Sequence, residues 1–135
     1  MVRGVEHLAL CAVNVPSLLA WYRELFQLEV IKEGEGGPFF LRFPDGFLVE
    51  VIESSDDAPP APGEKEKGFR HIALSVSSVE SLVAVLKQKG VAIVEDLKIV
   101  PNGTKLFLCR DIEGNLIQLV EREGAIDMKR VASQN

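Results

Sequence analysis

His7-Leu-Ala-Leu10 returns as His71-Ile-Ala-Leu74. Arg42-Phe-Pro-Asp-Gly46-Phe-Leu-Val-Glu50 returns as Arg110-Asp-Ile-Glu-Gly114-Asn-Leu-Ile-Gln118. The first match lies at an offset of 64 residues and the second at 68, so a loop insertion of four residues belongs to the second half. Between the matched stretches Asn14 falls on Ser78, and Ser17-Leu18 on Ser81-Leu82. A self-match at fixed spacing is the mark of a duplicated structural unit, and it governs how every other feature is read.

Each copy has the same internal order. A short strand comes first, Glu6 to Val13 and then Arg70 to Val76. A helix follows, with Asn14 or Ser78 placed to accept from free amides of its first turn and Pro16 suited to that turn. Leu18, Leu19, Tyr22, Leu25 and Phe26 form a stripe of helical period in the first copy; Leu82, Val83, Val85 and Leu86 form one in the second, which ends at Gly90. Three strands complete each copy: Glu29–Glu33, Phe39–Phe43 and Phe47–Ile52, then Ala92–Val100, Lys105–Cys109 and Leu116–Glu121. Turn signals separate them at Gly34–Pro38, Asp45-Gly46, Asn102-Gly103 and Glu113-Gly114. The order βαβββ, twice, places the chain in the α+β class.

The modules are then residues 1–53 and 69–123, joined by a linker over 54–68 and followed by a tail over 124–135. The linker, SSDDAPPAPGEKEKG, offers almost nothing to bury. A lone module of this size would leave a sheet face uncovered, so the two copies are expected to form a single domain over 1–135, sharing one core within the chain or across a dimer.

Composition narrows the partners. Apolar residues are 47 % and charged ones 26 %, an ordinary globular balance, and no run nears the ~20 apolar residues that span a bilayer. The first residues alternate like a strand and lack a small-residue cleavage site, which makes a cytoplasmic protein the expectation. A net charge of −5 without a basic cluster argues against nucleic acid. Cys11 and Cys109 form no CxxC pair and read as small buried hydrophobes.

Four polar residues stand in apolar strands. Period two places Leu48, Glu50 and Ile52 on one face, so Glu50 shares it with aliphatics, where a carboxylate is costly unless paired or bound to a cation. An ion pair with Arg42 is the plain alternative. Gln118 holds the equivalent place between Leu116 and Val120, whereas Glu53 and Glu121, one position off that register, read as solvated strand ends. His7 and His71 are the only histidines, and they fall in register. If an approximate two-fold relates the copies, all four side chains converge, and two imidazoles with a carboxylate and an amide oxygen suit a divalent metal with open positions.

His7-Leu-Ala-Leu with Ala20-Trp-Tyr-Arg-Glu-Leu-Phe, Gly68-Phe-Arg-His71-Ile-Ala-Leu, and Arg110-Asp-Ile-Glu-Gly-Asn-Leu-Ile-Gln-Leu-Val-Glu121 resemble the vicinal-oxygen-chelate superfamily, that of glyoxalases, bleomycin-resistance proteins and extradiol dioxygenases. The resemblance implies two βαβββ modules forming an eight-stranded, incompletely closed barrel around one divalent metal ion (Ni, Zn, Co, Mn or Fe). Its ligands would be His7, Glu50, His71 and Gln118. Glyoxalase I enzymes usually carry Glu where Gln118 stands. The resemblance also implies a homodimer and a small-molecule substrate chelated through adjacent oxygens. A glyoxalase-like lyase or isomerase is the leading expectation, with Glu50, the one carboxylate of the set, as the catalytic base. An extradiol-type dioxygenase and a non-catalytic ligand-binding or resistance protein are the alternatives. Phe39, Phe40, Lys105 and Phe107 are candidates to line the cavity.

Overall fold

In each helix the side chain just ahead of the first turn accepts a backbone amide. Asn14 Oδ1 takes Ser17 N at 3.0 Å and Ser78 Oγ takes Ser81 N at 3.2 Å. Such caps satisfy donors that have no partner inside the helix. The computed structural model describes residues 1–55 and 63–124. Over these, β1 is His7–Ala12, α1 Val15–Phe26, β2 Glu29–Lys32, β3 Phe39–Arg42 and β4 Leu48–Glu53. The second set is β5 His71–Ser75, α2 Val79–Gln88, β6 Ile93–Ile99, β7 Lys105–Arg110 and β8 Leu116–Glu121. The expected α+β class and the βαβββ order, twice, are what the chain adopts. Strand ends differ from expectation by one residue at most places. The tail after Gly124 and most of the linker lie outside the described residues.

The described strands make two four-stranded mixed sheets, ordered β1-β4-β3-β2 and β5-β8-β7-β6. The first and last strand of each copy run parallel, which the helical crossover between β1 and β2 permits. The described residues fall into two compact units, 1–55 and 63–68 with 110–115, and 69–109 with 116–124. No helix among the described residues is long and apolar enough to cross a membrane.

The first unit buries one face of its sheet against α1. Leu18, Leu19 and Tyr22 of the helix meet Leu41, Val49 and Val51 of the strands, all at most 7 % exposed. The tight loops 43–47 and 111–115 close alike, with Phe43 N donating to Phe47 O and Asp111 N to Asn115 O. Gly46 and Gly114, equivalent in the repeat, take φ of 91° and 88° there, which a side chain would strain. The 111–115 loop belongs to the first unit. Tyr22 Oη donates to the buried Asp111 carboxylate at 2.7 Å, and Asp111 also accepts from Asn115. Glu113 accepts from Val13 N and Asn14 N, setting a negative charge at the start of α1.

The second unit packs α2 through Val79, Val83 and Leu86. Buried Phe107, Ile117 and Leu119 belong to the same core of that unit. Glu121, expected from its register to be a solvated strand end, is instead engaged: it accepts from Val79 N at 2.9 Å and lies 3.5 Å from Lys105 Nζ. The side chain one step past the sheet's open face points back to the helix start, where four amides lack partners. Strand β6 is irregular, its pairing with β7 shifting register twice.

Candidate metal centre

Strand register creates the same diagonal pair twice. In β1 and β4, His7 lies opposite Leu48 and Ala9 opposite Glu50, so His7 and Glu50 stand two residues apart on one face of the sheet. In β5 and β8, His71 lies opposite Leu116 and Ala73 opposite Gln118. The duplicated strands thus bring together His7 with Glu50 and His71 with Gln118. Among the described residues no three His, Cys, Asp or Glu side chains gather into a cluster able to hold a metal ion.

In the first pair, His7 Nε2 lies 3.4 Å from Glu50 Oε2. The other ring nitrogen, Nδ1, is 2.6 Å from Glu6 Oε2. A carboxylate can only accept, so Nδ1 carries a proton, and in the neutral ring Nε2 presents a lone pair to the Glu50 oxygen. Two lone pairs at that separation repel unless a cation sits between them. Protonation of the ring supplies one: the hydrogen bond to Glu6, with the charges of Glu6 and Glu50, raises the His7 pKa above the usual imidazole value against some desolvation. A metal ion supplies the other. Bonds of about 2.1 Å at a tetrahedral ion set two ligand atoms roughly 3.4 Å apart, the separation found here. The arrangement Glu6–His7 on the far side of the ring is the carboxylate–histidine partnership that holds metal-ligating imidazoles. The first pair fits a divalent ion.

Arg42, the alternative partner for Glu50, is engaged elsewhere. Its guanidinium donates twice to Glu29, at 2.6 and 3.0 Å. Phe40 lies opposite Glu50 on β3 and sets its ring edge-on to His7, centroids 6.1 Å apart. Glu50 also borders a cleft of about 420 Å³ with Phe39, Pro38, Glu53 and the 13–16 segment that leads into and begins α1. That volume falls in the range of small-molecule sites.

The second pair has the same register and different chemistry. Arg70 reaches His71 Nδ1 at 2.9 Å, and Gln118 stands diagonally across from His71 on the same face of the sheet. Desolvation and the Arg70 charge lower the His71 pKa, the Gln118 contact opposing them. Gln118 contributes an amide oxygen without charge, so this half offers two neutral donors.

Not every expected residue is where the sequence suggested. Cys11 is exposed, on the same face of β1 as His7 and Ala9, because odd positions of that strand turn away from α1; Cys109 is buried as expected. Phe107 is 1 % exposed and serves the core, not a cavity wall. Lys105 pairs with Glu80 at 3.0 Å and Glu121 at 3.5 Å, which hold it beside α2. Glu6 and Arg70 went unnoticed in the sequence, though their place one residue before each histidine was the available signal.

Comparison with known proteins agrees with this architecture. A family model described as the Glyoxalase/Bleomycin resistance protein/Dioxygenase superfamily matches residues 4–119. A search of curated proteins finds no match. Among solved structures, a glyoxylase/bleomycin resistance protein/dioxygenase domain from Frankia sp. EAN1pec superposes with a TM-score of 0.75 at 21 % identity, covering 93 % of this chain and 96 % of that one. The fosfomycin resistance protein FosX from Listeria monocytogenes gives 0.71 at 19 % identity, with coverages of 94 % and 98 %. Lactoylglutathione lyase from Agrobacterium tumefaciens gives 0.64 at 21 % identity, covering 87 % and 92 %. With two βαβββ copies and a family match over most of its length, the chain belongs to the glyoxalase/bleomycin resistance/dioxygenase superfamily.

Proposed function

We propose that this protein is a metal-dependent, glyoxalase-like lyase or isomerase whose divalent ion is held by His7, Glu50, His71 and Gln118. The observation that carries the reading is the His7 Nε2–Glu50 Oε2 approach of 3.4 Å, with Nδ1 already committed to Glu6. Those two atoms call for a shared cation, and the duplicated strands offer a second histidine with an oxygen donor in the same register. The halves would meet within one chain or between the two copies of a homodimer. Zn, Ni, Co, Mn and Fe all accept this nitrogen and oxygen donor set.

When bound, such an ion would supply Lewis-acid polarisation to oxygen atoms of a small substrate, making the C–H beside them more acidic. Glu50 is the one carboxylate among the four residues. It takes the proton from that carbon and returns it to the neighbouring carbon, which moves a hydrogen without net redox change. Phe40, cross-strand from Glu50 and edge-on to His7, supplies an apolar wall on the face that carries them, and a drier surrounding strengthens the electrostatic contacts of the reacting groups.

The test is deuterium incorporation from D2O into vicinal dicarbonyl and hydroxycarbonyl compounds, with and without an added thiol, followed by NMR on metal-loaded protein. Glu50→Gln is expected to slow exchange by about 10²–10⁴-fold, the usual weight of a general base, while the metal content persists. An equally active Glu50→Gln variant would remove Glu50 from this role. Oxygen uptake with catechols in the presence of ferrous iron would instead point to a dioxygenase.

A further inference from the structure

The residues just ahead of the two histidines are equivalent in the repeat and opposite in charge, Glu6 before His7 and Arg70 before His71. Each reaches Nδ1 of the ring beside it, at 2.6 Å and 2.9 Å. A carboxylate only accepts and a guanidinium only donates. Neutral His7 therefore keeps its proton on Nδ1 and bares the Nε2 lone pair that lies 3.4 Å from Glu50. Neutral His71, with Nδ1 accepting from Arg70, must keep its proton on Nε2. A ring nitrogen that carries a proton cannot ligate a metal.

We propose that Glu6 and Arg70 are positioning residues of opposite effect: Glu6 holds His7 ready to ligate through Nε2, and Arg70 holds His71 in the tautomer that must reverse before its Nε2 can ligate. A divalent ion is then taken up first by His7 and Glu50, and His71 joins only as Arg70 leaves Nδ1. This order of assembly rests on the metal-centre reading above, whereas the tautomer assignment stands on the hydrogen bonds alone. It gives the centre a built-in difference between tight and labile halves, with Arg70 as the group that sets it.

Long-range ¹H–¹⁵N NMR on metal-free protein, at a pH above both histidine titrations, reads the tautomers directly. The expected result is Nδ1–H for His7 and Nε2–H for His71. Glu6→Ala shifts His7 toward the Nε2–H form, and Glu6→Asp restores part of the original signal. Zn²⁺ affinity by chelator competition is expected to fall about 10–100-fold in Glu6→Ala and to rise in Arg70→Ala, the scale known for partners of metal-ligating histidines. A simple charge effect would move the affinities and leave the tautomers unchanged, which would overturn the proposal. So would the same tautomer at both histidines, or both substitutions changing affinity in one direction. If the wild-type protein binds no divalent ion, the metal-centre reading and the assembly order fail together, and the NMR spectra still decide whether Glu6 and Arg70 set the tautomers.

Discussion

The strand pair β1–β4 and its counterpart β5–β8 share one register and carry contrasting side chains. In the first, an acid, a histidine and a second acid follow one another across the sheet: Glu6, His7, Glu50. In the second the same three places hold Arg70, His71 and Gln118. Backbone pairing thus decides where the donors stand, and the residue one step before each histidine decides which ring nitrogen is available. The same contrast runs through the helices. Tyr22 of α1 and Leu86 of α2 are repeat equivalents, both buried, yet only Tyr22 has a hydroxyl, which is spent on Asp111. Duplication preserved the scaffold and left the polar anchors free to diverge.

Removing the anchor that only the first unit has should show the largest effect. Asp111→Ala strands the Tyr22 hydroxyl and the amides of the 111–115 loop, and should cost about 3 kcal/mol, read as a lower denaturation midpoint in urea. Tyr22→Phe deletes one hydrogen bond and should cost about 1 kcal/mol.

Making the two donor pairs alike should be next in size. Gln118→Glu gives the second pair a carboxylate, and should tighten divalent metal binding by about tenfold, near 1.4 kcal/mol. Weaker binding in this variant would mean that the amide oxygen is already the better fit.

The helix caps offer a smaller, symmetrical comparison. Asn14→Ala and Ser78→Ala should each cost about 1 kcal/mol, because each removes the acceptor of a first-turn amide. The two losses should be similar, since Glu113 at the start of α1 and Glu121 at the start of α2 continue to accept neighbouring amides.

Titration of the metal-free protein should separate the histidines by direction. His7 should titrate above the ordinary imidazole pKa and His71 below it, as followed by NMR. The sign of each contribution to stability follows. His7 favours the folded state at pH below the unfolded imidazole value, and that contribution vanishes as pH rises through its elevated folded value. His71 works against the folded state once pH falls below the unfolded value. Glu6→Gln should bring His7 down toward its ordinary value, and an unmoved His7 would show that Glu6 does not govern it.

Most of the fold was legible because it is written twice. The repeated His-x-Ala-Leu and Gly-x-Leu-x-[Glu/Gln] stretches located the first and last strands of both copies, and their parallel register then placed His7 beside Glu50 and His71 beside Gln118. What period and composition could not reveal were contacts between residues distant in sequence. Cys11 reads as buried in an apolar run, yet it falls on the exposed face, since β1 buries only one side. Glu121 reads as a strand end, yet α2 begins within hydrogen-bonding reach of its carboxylate. The tautomers of the histidines depend on where the Glu6 and Arg70 side chains turn, which no periodicity encodes.

The central claim is that two inherited side-chain pairs serve one divalent ion. Elemental analysis of the protein after dialysis against Zn²⁺ or Ni²⁺, alongside His7→Ala and His71→Ala, tests it most directly. One ion per chain in the wild type, lost or bound far more weakly in both variants, is the predicted result. Full retention of the ion in either variant, or no uptake by the wild type, would contradict it.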